Sequence, residues 1–227
     1  IGAILAIALA KQLYGGIGYN PFNPALVARV GLLVGFPKLM TTWVAPAPGQ
    51  FLADAVTTAT PLDLPPTSPM VTEGQHLLEY FLGNVGGCLG ETSAAALLLG
   101  GIVLIALKLI RWQVPVAFIG TVLLFTGVVH AFNPELTGPP LFHLVTGGLF
   151  LGAFFMATDM VTSPMTPLGG LLFGVGCGLI TSLIRIWGSY PEGVSFSILI
   201  MNALTPLIDR YTAHQPFGRR SVAKPSK

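Results

Sequence analysis

The sequence predicts an all-α, polytopic membrane helical bundle with broken or half helices. Three observations lead there. Charged residues make up 9% of the 227 positions and hydrophobic ones 52%, whereas soluble domains are roughly 25% charged. Mean hydropathy is +0.75, high enough to require several helical spans. The chain also carries 28 Gly and 19 Pro, which in membrane helices mark close packing, half-helices and re-entrant turns. Residues 1–227 read as a single membrane domain.

Ile1 to Ala10 is apolar, closes at Lys11 and Gln12, and reads as the end of a helix. It starts abruptly, with no signal-peptide layout, so further residues are expected upstream. Then comes the interruption Gly15-Gly16-Ile17-Gly18-Tyr19-Asn20-Pro21-Phe22-Asn23-Pro24. Each Pro biases its preceding Asn away from helix, and a short helix is predicted from about Pro24 to Phe36. Two readings stand for it: a segment after a plain loop, or a half-helix whose free backbone groups face a cavity.

Leu39 through Leu107 contains no Lys or Arg. Basic residues collect on the cytoplasmic side, so residues 41–90 read as a non-cytoplasmic loop. Within it, Glu73 to Phe81 is amphipathic and is expected along the interface. Spans are predicted at Ala94–Ile110, Val114–Val129, Leu141–Ala157, Leu168–Trp187 and Val194–Ile208. Lys108, Arg111, Arg210 and the basic tail residues then fall inside, which places the C-terminus in the cytoplasm. Arg185 breaks this pattern near the outer face, where it either snorkels or pairs with Glu192.

Other chemistry is sparse. The net charge is +2, and the basic tail is explained by topology rather than nucleic acid. Cys88 and Cys177 lie in separate apolar contexts and read as small buried residues. The four His have no i,i+4 pair, so no metal site is read. There is no nucleophile–base pair, P-loop or dinucleotide fingerprint.

The informative stretch is Asp54-Ala55-Val56-Thr57-Thr58-Ala59-Thr60-Pro61-Leu62. It resembles the flavinylation motif, D-x-x-[S/T]-small-A-T, in which the last Thr is esterified to the phosphate of FMN. Other segments add to this: GGIGYNPFNPALV (Gly15 to Val27), FLGNVGGCLGETSA (Phe81 to Ala94), WQVPVAFIGT (Trp112 to Thr121) and FHLVTGGLFLGAFFMATDMVTSPMTP (Phe142 to Pro167). With the block from Arg185 to Tyr211 they cover nearly the whole chain in order. Together they resemble the RnfD/NqrB family: the RnfD component of the Rnf ion-translocating electron-transport complex and its relative, the NqrB component of the sodium-pumping NADH:quinone oxidoreductase. NALTPLIDRY near the end leans toward the Rnf branch.

The resemblance implies an inner-membrane electron-transfer subunit, not catalytic alone, in a ferredoxin:NAD oxidoreductase coupled to sodium or proton transport. It implies a fold similar to the urea transporter, with two inverted halves and extra N-terminal helices. It also implies covalent FMN at Thr60 on the outer face, with a noncovalent riboflavin conceivable by analogy. The implied partners are a second FMN-bearing subunit, membrane subunits, the ferredoxin- and NAD-reactive subunits, a flavin transferase and lipid. One departure is Thr58, where the family often has Gly. The fold alone would equally permit a small-solute channel. A faint echo between Asn20-Pro21-Phe22-Asn23-Pro24 and Met201-Asn202-Ala203-Leu204-Thr205-Pro206 agrees with two related halves.

Roles for neighbouring residues follow from the chemistry. A Thr-linked phosphate diester carries one negative charge, which backbone N–H groups can hold without Lys or Arg. Gly86, Gly87 and Gly90, just before a helix start, are candidates for that; the other reading is tight packing or a bend. Thr57 and Thr58 can hydrogen-bond the phosphate or the loop, Ala59 completes the motif, and Pro61 rigidifies it. Asp54 repels a phosphate and reads as recognition for the transferase. Trp43, Phe51, Tyr80 and Phe81 are stacking partners or interfacial anchors. Glu91 and Asp159 are costly acids in apolar surroundings; they read as ion-pathway groups or helix caps.

Overall fold

The computed structural model describes residues 1–44, 57–58, 61–66, 68, 71, 74–83, 86–88, 90–188, 190 and 192–212. The elements are α1 (Gly2–Ile4, continued by a π-helix Leu5–Leu9), α2 (Pro24–Gly35), α3 (Pro37–Thr41), α4 (Gly74–Leu82) and α5 (Ala94–Ala106). Then follow α6 (Gln113–Phe132), α7 (Pro140–Val145), α8 (Leu149–Leu151, continued by a π-helix Gly152–Met156), α9 (Pro167–Trp187) and α10 (Val194–Thr212). A two-residue antiparallel ladder joins Trp43–Val44 (β1) to Thr57–Thr58 (β2), with Trp43 opposite Thr58.

Local sequence explains the helix starts. The Asn23 side chain accepts from Ala25 N and Leu26 N, and Pro24 occupies the first turn of α2, where its missing N–H costs nothing. Thr166 and Pro167 repeat the device on α9, with Thr166 Oγ1 accepting from Gly169 N at 3.0 Å. The core is built by α2, α6, α8, α9 and α10 around Leu26, Phe118, Leu149, Phe173, Cys177 and Ile198, all fully buried. Outward faces are apolar: Leu124 is 72% exposed and Leu99 69%. Such surface suits lipid rather than water. By length and composition, α6 and α9 are long enough to cross a membrane.

Four expectations change. The predicted span Leu141–Ala157 is two pieces, broken at 146–148 where Gly147 takes φ +70. That left-handed backbone strongly favours Gly. The predicted span Ala94–Ile110 ends at Ala106, about 20 Å of helix by rise per residue. The amphipathic piece forms α4, yet its Tyr80 is 6% exposed and meets the Phe142 ring edge-on at 5.9 Å. α4 therefore docks on α7 through that face. Cys177 is buried as read, but Cys88 is only half-buried.

The bundle has two chemically different ends. One collects the end of α5, the start of α9 and the end of α10, with Arg111 donating to Met165 O and Asp209 accepting from Met165 N at 2.9 Å. The other collects the start of α5, the helix break, the end of α9 and the start of α10, and holds the candidate site. The asparagines of the sequence echo meet between them. The Asn202 amide accepts from Asn23 N at 3.2 Å and donates to Ile198 O at 3.2 Å.

Candidate functional site

A cleft opens at the helix break. Its walls are Pro61 from the Thr/Pro-rich segment, Tyr80 from α4, and Gly86, Gly87, Glu91 and Thr92 before α5. Val145, Thr146 and Gly147 at the break and Glu192 before α10 close it. Pro61 and Gly86 are buried. Leu62 seats against the break: a Cβ on Gly147 would lie 2.7 Å from Leu62 Cδ1 and 3.1 Å from an Arg185 nitrogen. The glycine thus lets two distant segments touch backbone.

Four charged side chains converge here. Arg29, alone among the apolar residues of α2, donates one guanidinium nitrogen to Glu91 and another to Glu192. The Glu91 side chain is 4% exposed and Glu192 18%. A planar fork can bridge two carboxylates where an ammonium cannot. Glu91 also packs under the break, 2.9 Å from where a Gly148 Cβ would lie. Arg185 answers a different need. It donates to His143 O at 2.5 Å and Thr146 O at 3.2 Å, the last carbonyls of α7. These groups have no helical partner where α7 stops, and a cation also suits the negative end of the dipole. Arg185 Nε is buried and has no hydrogen-bond partner among the described residues.

Burial pushes Glu192 up to about 7 from 4.5, helped by the Glu91 carboxylate and opposed by Arg29 and Arg185. The folded chain therefore keeps a proton between those values that the unfolded chain has released. The stability this gives is fully present below pH 4.5 and is lost as pH rises through about 7. Thermal melts of the detergent-solubilised chain are expected to show that fall, and Glu192→Gln to flatten it. An unchanged profile in the variant would assign the dependence elsewhere.

The sequence candidates now have places. Asp54, Phe51, Ala59 and Thr60 lie outside the described residues. Thr57 and Thr58 form β2 against Trp43–Val44. Gly86 and Gly87 line the cleft, but α5 is capped further along the chain by Ser93, whose Oγ accepts from Ala96 N at 3.3 Å. They are therefore a loop wall, not a helix N-terminus, and Glu91 is an ion-pair partner rather than the cap. Asp159 accepts the Thr162 hydroxyl at 3.1 Å, while Ser163 N–H goes to its backbone carbonyl; it stands at the opposite end. Tyr80 is at the cleft, and Phe81 packs with Phe150 and Phe154. For Arg185 neither reading holds: it caps α7, and Glu192 pairs with Arg29. Sequence reasoning misses Arg29 itself, although a lone cation in PALVARVGLLVG is the signal for such a residue.

Fold and site together define a helical membrane protein whose charged cleft sits at a broken helix. Comparison with known sequences supplies the family. The profile of the NQR2, RnfD, RnfE family matches residues 1–218, and the chain belongs to that family. It is 49% identical to the D-subunit of the proton-translocating ferredoxin:NAD(+) oxidoreductase complex of Clostridium ljungdahlii, covering 97% of this chain and 68% of that protein. It is 45% identical to the Na(+)-translocating counterpart of Acetobacterium woodii, covering 100% and 68%. It is 44% identical to the D-subunit of the ion-translocating oxidoreductase complex of Stutzerimonas stutzeri, covering 99% and 71%.

Proposed function

We propose that the chain is the flavin-bearing RnfD component of an Rnf-type ferredoxin:NAD oxidoreductase, passing electrons through an FMN esterified to Thr60. The assembly couples that flow to sodium or proton transport; relatives are named for each ion. The observation that carries the reading is the seating of Pro61 and Leu62, the residues after Thr60, in the cleft at the helix break.

The cleft's donors suit the phosphate end of such a group. The cradle includes Gly86, Gly87 and Gly147, and a side chain at Gly147 would collide with Leu62. Backbone N–H groups of Gly86 and Gly87 and the Thr92 hydroxyl would hold the phosphate, and the Tyr80 ring would border the flavin. When bound, FMN supplies one- and two-electron transfer. Arg29 and Arg185 stand beside the cleft, but Glu91 and Glu192 balance their charge, so the phosphate rests on N–H and hydroxyl donors rather than on a net positive site. Asp54 serves recognition by the flavin transferase. The reading includes the outer face for this end, a cytoplasmic C-terminus, and two inverted halves, which the Asn23–Asn202 contact favours. Its partners are a second FMN-bearing subunit, membrane subunits, and subunits that react with ferredoxin and NAD.

Intact mass and in-gel fluorescence test it. Co-expressed with a flavin transferase, wild type is expected to gain one FMN less water, ~438 Da, and Thr60→Val to gain nothing. An unmodified wild type under those conditions removes the redox reading and leaves a small-solute channel as the better account.

A further inference from the structure

The four charges at the cleft, Arg29, Arg185, Glu91 and Glu192, sum to zero. Negative charge placed beside them in a largely water-excluded setting is costly unless something compensates. Neither arginine can change its charge in response. Arg29 already bridges both carboxylates, and the terminal nitrogens of Arg185 are spent on carbonyls of α7. The carboxylates are the groups able to change charge. Between them, Glu192 has the route to water, with its side chain 18% exposed against 4% for Glu91. It also sits in the turn between α9 and α10, not within a span.

We propose that Glu192 takes up one proton from the outer solvent when negative charge enters the cleft, with Glu91 and Arg29 holding it in place. This deepens, and rests on, the flavin reading above. The balance is simple. One electron passes from a one-electron carrier of the assembly, which is oxidised, to the flavin that would be held there, and one proton passes from bulk solvent to the Glu192 carboxylate, which becomes a carboxylic acid. No bond to the cofactor is needed. The groups facing Glu192 are Glu91 from the α5 approach, Arg29 from α2 and Arg185 from α9. Glu91 raises its proton affinity and the arginines lower it, so added negative charge tips a poised site. Arg29 then keeps its contact with Glu91 alone.

The test uses the transferase-co-expressed chain, its adduct verified by mass, reduced stepwise with dithionite at several pH values. Above about pH 7 the wild-type midpoint is expected to fall by about 59 mV per pH unit, one proton per electron. Below that pH the curve flattens, because Glu192 is already protonated. Glu192→Gln is expected to remove most of this slope, and Glu192→Asp to keep it. Reduction-minus-oxidation infrared spectra should show a carboxylic C=O band in wild type that Glu192→Gln lacks. An adduct-bearing Glu192→Gln with the wild-type slope and band overturns this inference alone. A wild type without adduct overturns the flavin reading and this inference together. If Glu192→Gln does not fold, Glu192→Asp decides: a retained slope supports the proposal and a lost slope overturns it.

Discussion

Arg29→Met is expected to destabilise the folded chain by about 3 kcal/mol or more at pH 8, the usual cost of orphaning a buried ion-pair partner. The physical reason is that one guanidinium serves two carboxylates. Glu91 and Glu192 would be left facing each other in a site that exposes 4% and 18% of their side chains. They have an escape that a permanently charged group lacks. Glu192, whose proton affinity burial already raises, can take up a proton, so much of the loss should return at pH 5. Arg29→Lys should fall between, since a point charge cannot bridge both acids in one plane. Arg29→Met combined with Glu91→Gln should be milder than Arg29→Met alone, because it removes a charge together with its partner. Thermal melts in detergent at the two pH values measure all of this. A pH-independent loss for Arg29→Met would show that lost packing, not unpaired charge, sets the cost.

This network marks the boundary of what the chain alone discloses. Helices from Pro24, Gln113, Pro167 and Val194 are legible because each carries a local signal, either Asn-Pro or Thr-Pro at the start or a long apolar run. The break at Gly147 is not, because Leu141 to Ala157 is apolar enough to read as one span. Its cause is tertiary: Leu62 and Arg185 press on Gly147 from segments far away in sequence. Loop composition suggests a site held by backbone alone. The fold instead brings to it Arg29, 62 residues from Glu91 in the chain, and Arg185 from the far end of α9. Pairing partners in a bundle are set by which helix ends coincide, and only the helix ends themselves can be read locally. Glu91 illustrates the point. Its position before α5 looks like a cap, yet Ser93 does that work and Glu91 turns to α2.

The second large effect lies where α9 crosses α6. Gly170, Gly174 and Gly178 repeat every fourth residue on one face of α9, the spacing that lets membrane helices approach backbone to backbone. The approach is close at two of them. A Cβ on Gly174 would stand 2.7 Å from Val114 O, and one on Gly178 would stand 2.9 Å from Phe118 O. Carbonyl oxygens inside a helix cannot rotate away as a side chain can, so the helices themselves must part. Gly174→Ala is therefore expected to cost about 2 kcal/mol despite the higher helix propensity of Ala, and Gly174→Leu to prevent folding. Gly120, on α6, has nothing within 4 Å of its Cβ position. Gly120→Ala should match or slightly exceed wild-type stability, which separates packing from propensity. Gly174→Ala with Gly178→Ala should cost less than the sum of the two, because helices separated for one methyl already have room for the next. Melting temperatures for these variants decide the matter. If Gly174→Ala behaves like Gly120→Ala, the two spans are not held at backbone contact, and the core around Phe118 and Phe173 must carry their packing instead.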